Sequence, residues 1–306
     1  MTGLGVDTQN ARTYNGSMKE LNIGGIVVGN GRPCFFIAEI GINHNGDIDI
    51  ARKLIELAEA AGCQAVKFQK RTVDVVYTAD ELAKPRESPF GNTNGNLKYG
   101  LEFGKKEYAE IARCCKEHEI LWMASCWDEA SVDFIDQFEV PAYKIASASL
   151  TDDGLLKYTK ARAKDRPILL STGMSTEAQV DHAVEVLGKD NLILLHTTST
   201  YPATHEELNL KTITTLRQRY GVPVGYSGHE TGIVTTAAAV ALGACVVERH
   251  ITMDRAMWGS DQAASLGPSG LMKVVQFIHY VEQALGDGVK RVIEREVPNM
   301  KKLRRK

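Results

Sequence analysis

Eight times along this chain a short run rich in Val, Ile and Leu is followed by a longer amphipathic stretch, and few folds accommodate that rhythm. The runs are Phe35–Ile40, Ala65–Phe68, Leu121–Ser125, Ala142–Ala146, Ile168–Ser171, Leu192–His196, Val222–Tyr226 and Cys245–His250. Strands that are apolar on both faces belong in parallel sheets covered by helices. The intervening stretches read as those helices. In DIARKLIELAEAAG (49–62), Ala51, Leu54, Ile55, Leu57, Ala58 and Ala61 share one face, and KKEYAEIARCCKEHE (105–119) and TTAAAVALGA (235–244) are further helical patterns. Gly62, Gly188 and Gly243 stand where left-handed caps end three such helices. Eight strand–helix units in about 250 residues predict closure into a (β/α)8 TIM barrel. A doubly wound open sheet would need a glycine-rich phosphate loop after its first strand, and GINHNG (41–46) is no G-x-G-x-x-G.

Three segments fall outside the rhythm. LNIGGIVVGNGRP (21–33) reads as a short N-terminal β-hairpin around a glycine turn. The polar first twenty residues read as a flexible arm (1–20), which leaves 21–306 as a single barrel domain. The connection 71–104 is oversized and carries Pro85, Pro89, Gly91, Gly95 and Gly100, so it reads as a loop serving as a lid or an oligomer contact.

Composition narrows the function classes. With 43% hydrophobic and 24% charged residues the chain is an ordinary globular sequence. A net charge of −2 leaves no electrostatic footprint for nucleic acid or an anionic membrane. The basic tail (Lys301, Lys302, Arg304, Arg305, Lys306) reads as a solvated terminus. No apolar run approaches the ~20 residues of a membrane span, and the N-terminus lacks the apolar core of a secretory signal. The six cysteines (Cys34, Cys63, Cys114, Cys115, Cys126, Cys245) show no framework spacing and no CxxC. They read as reduced, buried thiols of a cytoplasmic protein.

In such barrels the active site forms at the C-terminal ends of the strands. There this sequence gathers polar residues: Glu39 and Asn43-His44-Asn45; Lys67 and Gln69; Ser125; Lys144 and Ser147; Ser171-Thr172; His196 to Ser199 and Tyr201; Ser227 and His229; Glu248 and His250. Taken singly, each has a plain structural reading, a snorkelling lysine, a hydrogen-bonded core histidine or a helix-capping serine. Eight strands all ending polar are harder to explain so, because charges enclosed by a barrel mouth are costly unless paired with one another or with a ligand. Two lysines with several hydroxyls and helix N-termini suit a small, multiply charged anion such as a phosphorylated carboxylate. His229 and His250, on neighbouring strands, could place two imidazoles on one metal, for which Mn2+, Mg2+, Zn2+ and Fe2+ all qualify.

At these residues the chain resembles the sialic acid synthase family, which includes the N-acetylneuraminate, legionaminate and pseudaminate synthases. The matching stretches are FFIAEIGINHNGD, AVKFQ, AYKIAS, ILLSTGM, LLHTTSTYP, GYSGHE, VVERHITMDRAMWGSDQAAS and ALGDGVKR, in family order over nearly all of residues 21–305. The resemblance implies a transferase of carbohydrate biosynthesis that condenses phosphoenolpyruvate with an amino sugar such as N-acetylmannosamine, with C–O cleavage and phosphate release. It implies a divalent metal, Mn2+ with Mg2+ as the alternative, on His229 and His250, and a homodimer or higher homo-oligomer. Lys67, Lys144, Ser147, Ser171 and Ser227 would hold phosphate and carboxylate, with Ser125 nearby. Glu39 would orient or deprotonate the attacking water, and Gln69, Tyr201 and Asp261 match positions that contact the sugar. Ser149 stands where N-acetylneuraminate synthases have Glu, and Ser199 where they have Asn; both positions touch sugar or phosphoenolpyruvate in the family, so an acceptor other than N-acetylmannosamine is the expectation. The antifreeze-like domain into which many relatives continue is not expected after KKLRRK. Two other classes fit the residues: a metal-dependent barrel aldolase acting without phosphoenolpyruvate, and a non-catalytic sugar- or phosphate-binding relative.

Overall fold

The computed structural model of the chain describes residues 19–29 and 31–305, so all of the expected arm except Lys19 and Glu20 lies outside the described residues. Eight strands close a barrel: β1 (Phe35–Gly41), β2 (Ala65–Lys70), β3 (Leu121–Cys126), β4 (Tyr143–Ile145), β5 (Ile168–Ser171), β6 (Leu192–Thr197), β7 (Val224–Gly228) and β8 (Val246–His250). Every barrel pairing is parallel, and β8 returns to β1 with His250 opposite Glu39. The principal helix after each strand is, in order, α1 (Ile48–Ala60), α2 (Lys105–Glu117), α3 (Glu129–Asp136), α4 (Asp153–Ala163), α5 (Glu177–Leu187), α6 (Thr212–Tyr220), α7 (Val234–Ala241) and α8 (Pro268–Leu285). The fold is the (β/α)8 TIM barrel expected from the sequence. No described helix is long and apolar enough to cross a membrane.

Local chemistry sets the boundaries. Asp47 caps α1 by accepting from the backbone N–H groups of Asp49 and Ile50, and Ala51, Leu54, Ile55 and Ala58 bury its inner face. Gly62, Gly188 and Gly243 all hold positive φ, but Gly188, with φ 75 and ψ 174, departs from the expected left-handed cap. The N-terminal hairpin pairs Leu21–Ile23 with Ile26–Val28 across Gly24 and Gly25, both at positive φ, the conformation a two-residue hairpin turn needs. Its Leu21, Ile23 and Val28 join a core cluster with Phe35, Ile37, Ala65, Met123, Ala142, Leu169, Ile193, Leu195 and Val246. The hairpin therefore plugs the N-terminal end of the barrel with apolar side chains.

Residues 71–104 differ from the expected loop. They fold into helices Val73–Val76 and Ala79–Ala83, an antiparallel pair Pro85–Ser88 with Gly91–Thr93, and helix Asn94–Leu101. Two capping boxes, Thr78 with Glu81 and Thr93 with Asn96, start two of these helices. Gly100 is a glycine because Phe90 lies where a Cβ would stand, so close approach and not flexibility explains it. All six cysteines are free; five are buried, while Cys34 is only partly so. The basic tail from Lys301 to Arg305 is exposed, as expected.

Candidate active site

Strand periodicity builds the site. Along β1, Ile37 faces the barrel interior, and Glu39 is the next inward position; Ala65 and Lys67 on β2 and Val246 and Glu248 on β8 repeat the pattern. The interior thus changes from apolar at the plugged end to ionic at the mouth. A cavity of about 180 Å³ opens there, lined by residues from all eight strand ends. Of the thirteen site residues expected from the sequence, twelve line it: Glu39, Lys67, Gln69, Ser125, Lys144, Ser147, Ser171, Ser199, Tyr201, Ser227, His229 and His250. Asp261 does not; its Oδ2 lies 3.8 Å from His250 Nδ1. Ser149 is buried in the turn Ser147–Ser149 outside the cavity lining, so the acceptor preference inferred from it has no geometric support.

Four buried charges form the floor. Lys67 Nζ lies 2.7 Å from Glu39 Oε2 and 3.6 Å from Glu248 Oε1. Lys144 Nζ lies 4.0 Å from Glu248 Oε2 and donates to Ser171 Oγ at 2.8 Å. Ser227 donates to Glu248 at 3.2 Å, and Gln69 Nε2 to Glu39 Oε1 at 3.0 Å. Behind Gln69, Arg71 donates to its Oε1, which fixes the amide so that its N–H₂ faces Glu39. Two cations and two anions cancel, which makes their shared burial tolerable.

Burial raises the Glu39 carboxyl to about 7, against the pull of Lys67. Burial would also raise Glu248, but Lys144 and Lys67 overcome it and hold it down to about 2. Burial lowers Lys144 to about 8, with Glu248 opposing. Two carboxylates on one floor are thereby pushed apart in proton affinity, the arrangement by which one site keeps a fixed anion beside a proton acceptor. Glu248 is the residue to which sequence reasoning gave no role. Its signal was present, since it alternates with Val246 and His250 on β8.

At the ends of β7 and β8 stand two imidazoles that also line the cavity, with ring centroids 5.5 Å apart. Burial lowers both, His229 to about 4, so both are neutral near pH 7. His229 Nδ1–H donates to the Thr198 carbonyl at 2.7 Å, which leaves the Nε2 lone pair to accept from the Tyr201 hydroxyl at 3.0 Å. His250 Nδ1 is buried without a hydrogen-bond partner. A neutral ring anchored through one nitrogen, beside a second ring with an unpaired nitrogen, fits a divalent cation. Among the described residues no group of three or more His, Cys, Asp or Glu side chains is placed to hold one, so further ligands would come from water or substrate.

A family model described as the NeuB family matches residues 54–290. This chain belongs to the NeuB family. It is 40% identical over 282 residues to the N-acetylneuraminate-9-phosphate synthase of Homo sapiens, covering 90% of this chain and 78% of that one. It is 35% identical over 280 residues to the N,N'-diacetyllegionaminic acid synthase of Legionella pneumophila, covering 88% and 78%. Among solved structures, the N-acetylneuraminic acid synthetase of Leptospira borgpetersenii, in complex with citrate, superposes with a TM-score of 0.82 at 30% identity, over 94% of this chain and 99% of that one. The chain is an enzyme of this synthase family, and its homologues support a nonulosonate synthase.

Proposed function

We propose that this NeuB-family enzyme joins phosphoenolpyruvate to the aldehyde of an open-chain amino sugar such as N-acetylmannosamine, releasing phosphate. The observation that carries the reading is that the balanced floor of Lys67, Lys144, Glu39 and Glu248 and two neutral imidazoles line one cavity. Lys67 and Lys144, with the hydroxyls of Ser125, Ser147, Ser171 and Ser227, bind the phosphate and carboxylate. Gln69, Ser199 and Tyr201 line the remaining wall and orient the acceptor, with Asp261 beside His250. When a divalent cation, Mn2+ or Mg2+ in its place, is bound by His229 and His250, it supplies Lewis-acid polarisation of the aldehyde oxygen. Phosphoenolpyruvate C3 forms the new bond to the aldehyde carbon, whose oxygen takes a proton and becomes a hydroxyl. Water adds to the electron-poor C2, and Glu39 takes its proton. The C2–O bond to phosphate then breaks, phosphate departs with the electron pair and takes up the proton of the C2 hydroxyl, and C2 becomes the ketone of a 2-keto acid. Nothing in this sequence asks the protein for a covalent intermediate.

The test is phosphate release from phosphoenolpyruvate across a panel of aldoses, with Mn2+ and after chelation. Release that needs both an amino sugar and the metal is expected, with loss in His229→Ala. Condensation that proceeds from pyruvate instead would replace this reading with an aldolase.

A further inference from the structure

His229 and His250 each carry, as a sequence neighbour, one half of a buried ion pair. Glu230 follows His229, Arg249 precedes His250, and both side chains are fully buried. Alternation across a strand sends the imidazoles to the barrel mouth and the charged pair to the helix layer. There Arg249 Nη1 donates to Glu230 Oε1 at 2.9 Å, to the Gly232 carbonyl at 3.1 Å and to the Thr236 hydroxyl, while Nη2 donates to the Glu230 carbonyl at 2.6 Å. Glu230 accepts further from the hydroxyls of Tyr226, Thr235 and Thr236. Register pairs Ser227 with Glu248 and Gly228 with Arg249, so His229 and His250 each directly follow the last paired rung of the two strands. The network leaves no space beside Gly228, where a Cβ would stand 2.5 Å from Glu230 Oε2.

Stability is a poor reason for this pair. Burying two charges is costly, and well-packed apolar residues often do as well; fixing register is the better-attested use of such a pair. Neither side chain lines the cavity. Besides those side chains Arg249 grips backbone, the carbonyls of residues 230 and 232 just after His229, and it reaches them from the residue before His250. We propose that Glu230 and Arg249 are positioning residues that lock the end of β7 against β8, so that the His229 and His250 rings are held where they can share one divalent cation. The inference rests on the reading of the two histidines as metal ligands.

The experiment uses the full chain and Mn2+ alone, with affinity read by electron paramagnetic resonance of the free ion. It compares the parent with Arg249→Lys, which keeps the charge but loses the fork, and with the double variant Glu230→Leu/Arg249→Met, which replaces the pair by apolar volume. The expected result is a cooperative melting transition retained in the double variant, with Mn2+ affinity about 10–100-fold weaker, the loss typical of outer-shell partners. A second readout needs no metal. The ¹⁵N resonances of His229, assigned with His229→Gln, should report the Nδ1–H tautomer in the parent and a mixture in the variants. Unchanged Mn2+ affinity together with an intact tautomer would overturn the proposal. If the parent itself binds no Mn2+, the ligand reading of the histidines fails, and the metal-free tautomer comparison still decides the positioning. Should the double variant not fold, Arg249→Lys carries both readouts.

Discussion

Lys144 stands between two demands. Burial drives its ammonium toward neutrality, Glu248 holds the charge on, and the result is a value lowered to about 8. A lysine binds an anion only while protonated, so its contribution is present below that value and lost above it. The KM for phosphoenolpyruvate should therefore stay flat below about pH 8 and climb above it. Glu248→Gln removes the group that raises Lys144, so the climb should begin at lower pH; a profile identical to the parent's would break the link between the two residues. Lys144→Ala should raise the same KM about tenfold or more, since a charge-assisted hydrogen bond is worth about 1.5–3 kcal/mol. If only the acceptor KM moves, the anion site lies elsewhere. The same residues mark what the sequence could reveal. Period-two alternation was enough to face Glu39, Lys67, Lys144 and Glu248 inward. It could not reveal that Glu248 meets two lysines, because those partners come from β2 and β4, far off along the chain.

Elements with a strong internal period were legible, and elements held by distant contacts were not. Each of the eight runs became a strand within two residues of its expected bounds, because burial on both faces leaves a continuous apolar signature. The 71–104 segment has no such signature. Its order comes from the two capping boxes and from Phe90, which packs against Gly46, Gly100 and Trp258. It also serves the site, since Glu102 pairs with Lys70 at 3.3 Å and with Arg71, the residue that orients Gln69. The N-terminal hairpin works at the other end of the barrel and should be separable from chemistry. Ile23 is fully buried in the plug, so Ile23→Ala should cost about 2–5 kcal/mol of stability. Denaturant unfolding would read that loss, while both KM values at a temperature well below the melting point should match the parent's. A changed KM would mean that the plug transmits strain to the mouth.

For the molecule as a whole, charge decides how the site can fill. The chain carries only −2, so it offers no broad positive field to draw in an anion. The cavity floor is itself balanced, two lysines against two glutamates, both carboxylates ionised once Glu39 loses its proton. Phosphoenolpyruvate, with roughly three negative charges near neutral pH, would leave that enclosed volume strongly negative. A dication at the two imidazoles of the same cavity offsets most of the excess across a distance at which buried charges are little screened by salt. Metal and phosphoenolpyruvate should therefore bind with positive coupling, and linkage requires the coupling to be reciprocal. The Kd for Mn2+ should fall in saturating phosphoenolpyruvate, and the Kd for phosphoenolpyruvate should fall by the same factor in saturating Mn2+. The factor should lie between about 5 and 150. Calorimetric titrations in both orders, without acceptor so that no turnover occurs, would measure it. His229→Ala should remove most of the coupling while leaving phosphoenolpyruvate binding without metal unchanged. Equal affinities with and without the second ligand would mean that the imidazole corner and the lysine floor do not serve one reaction centre.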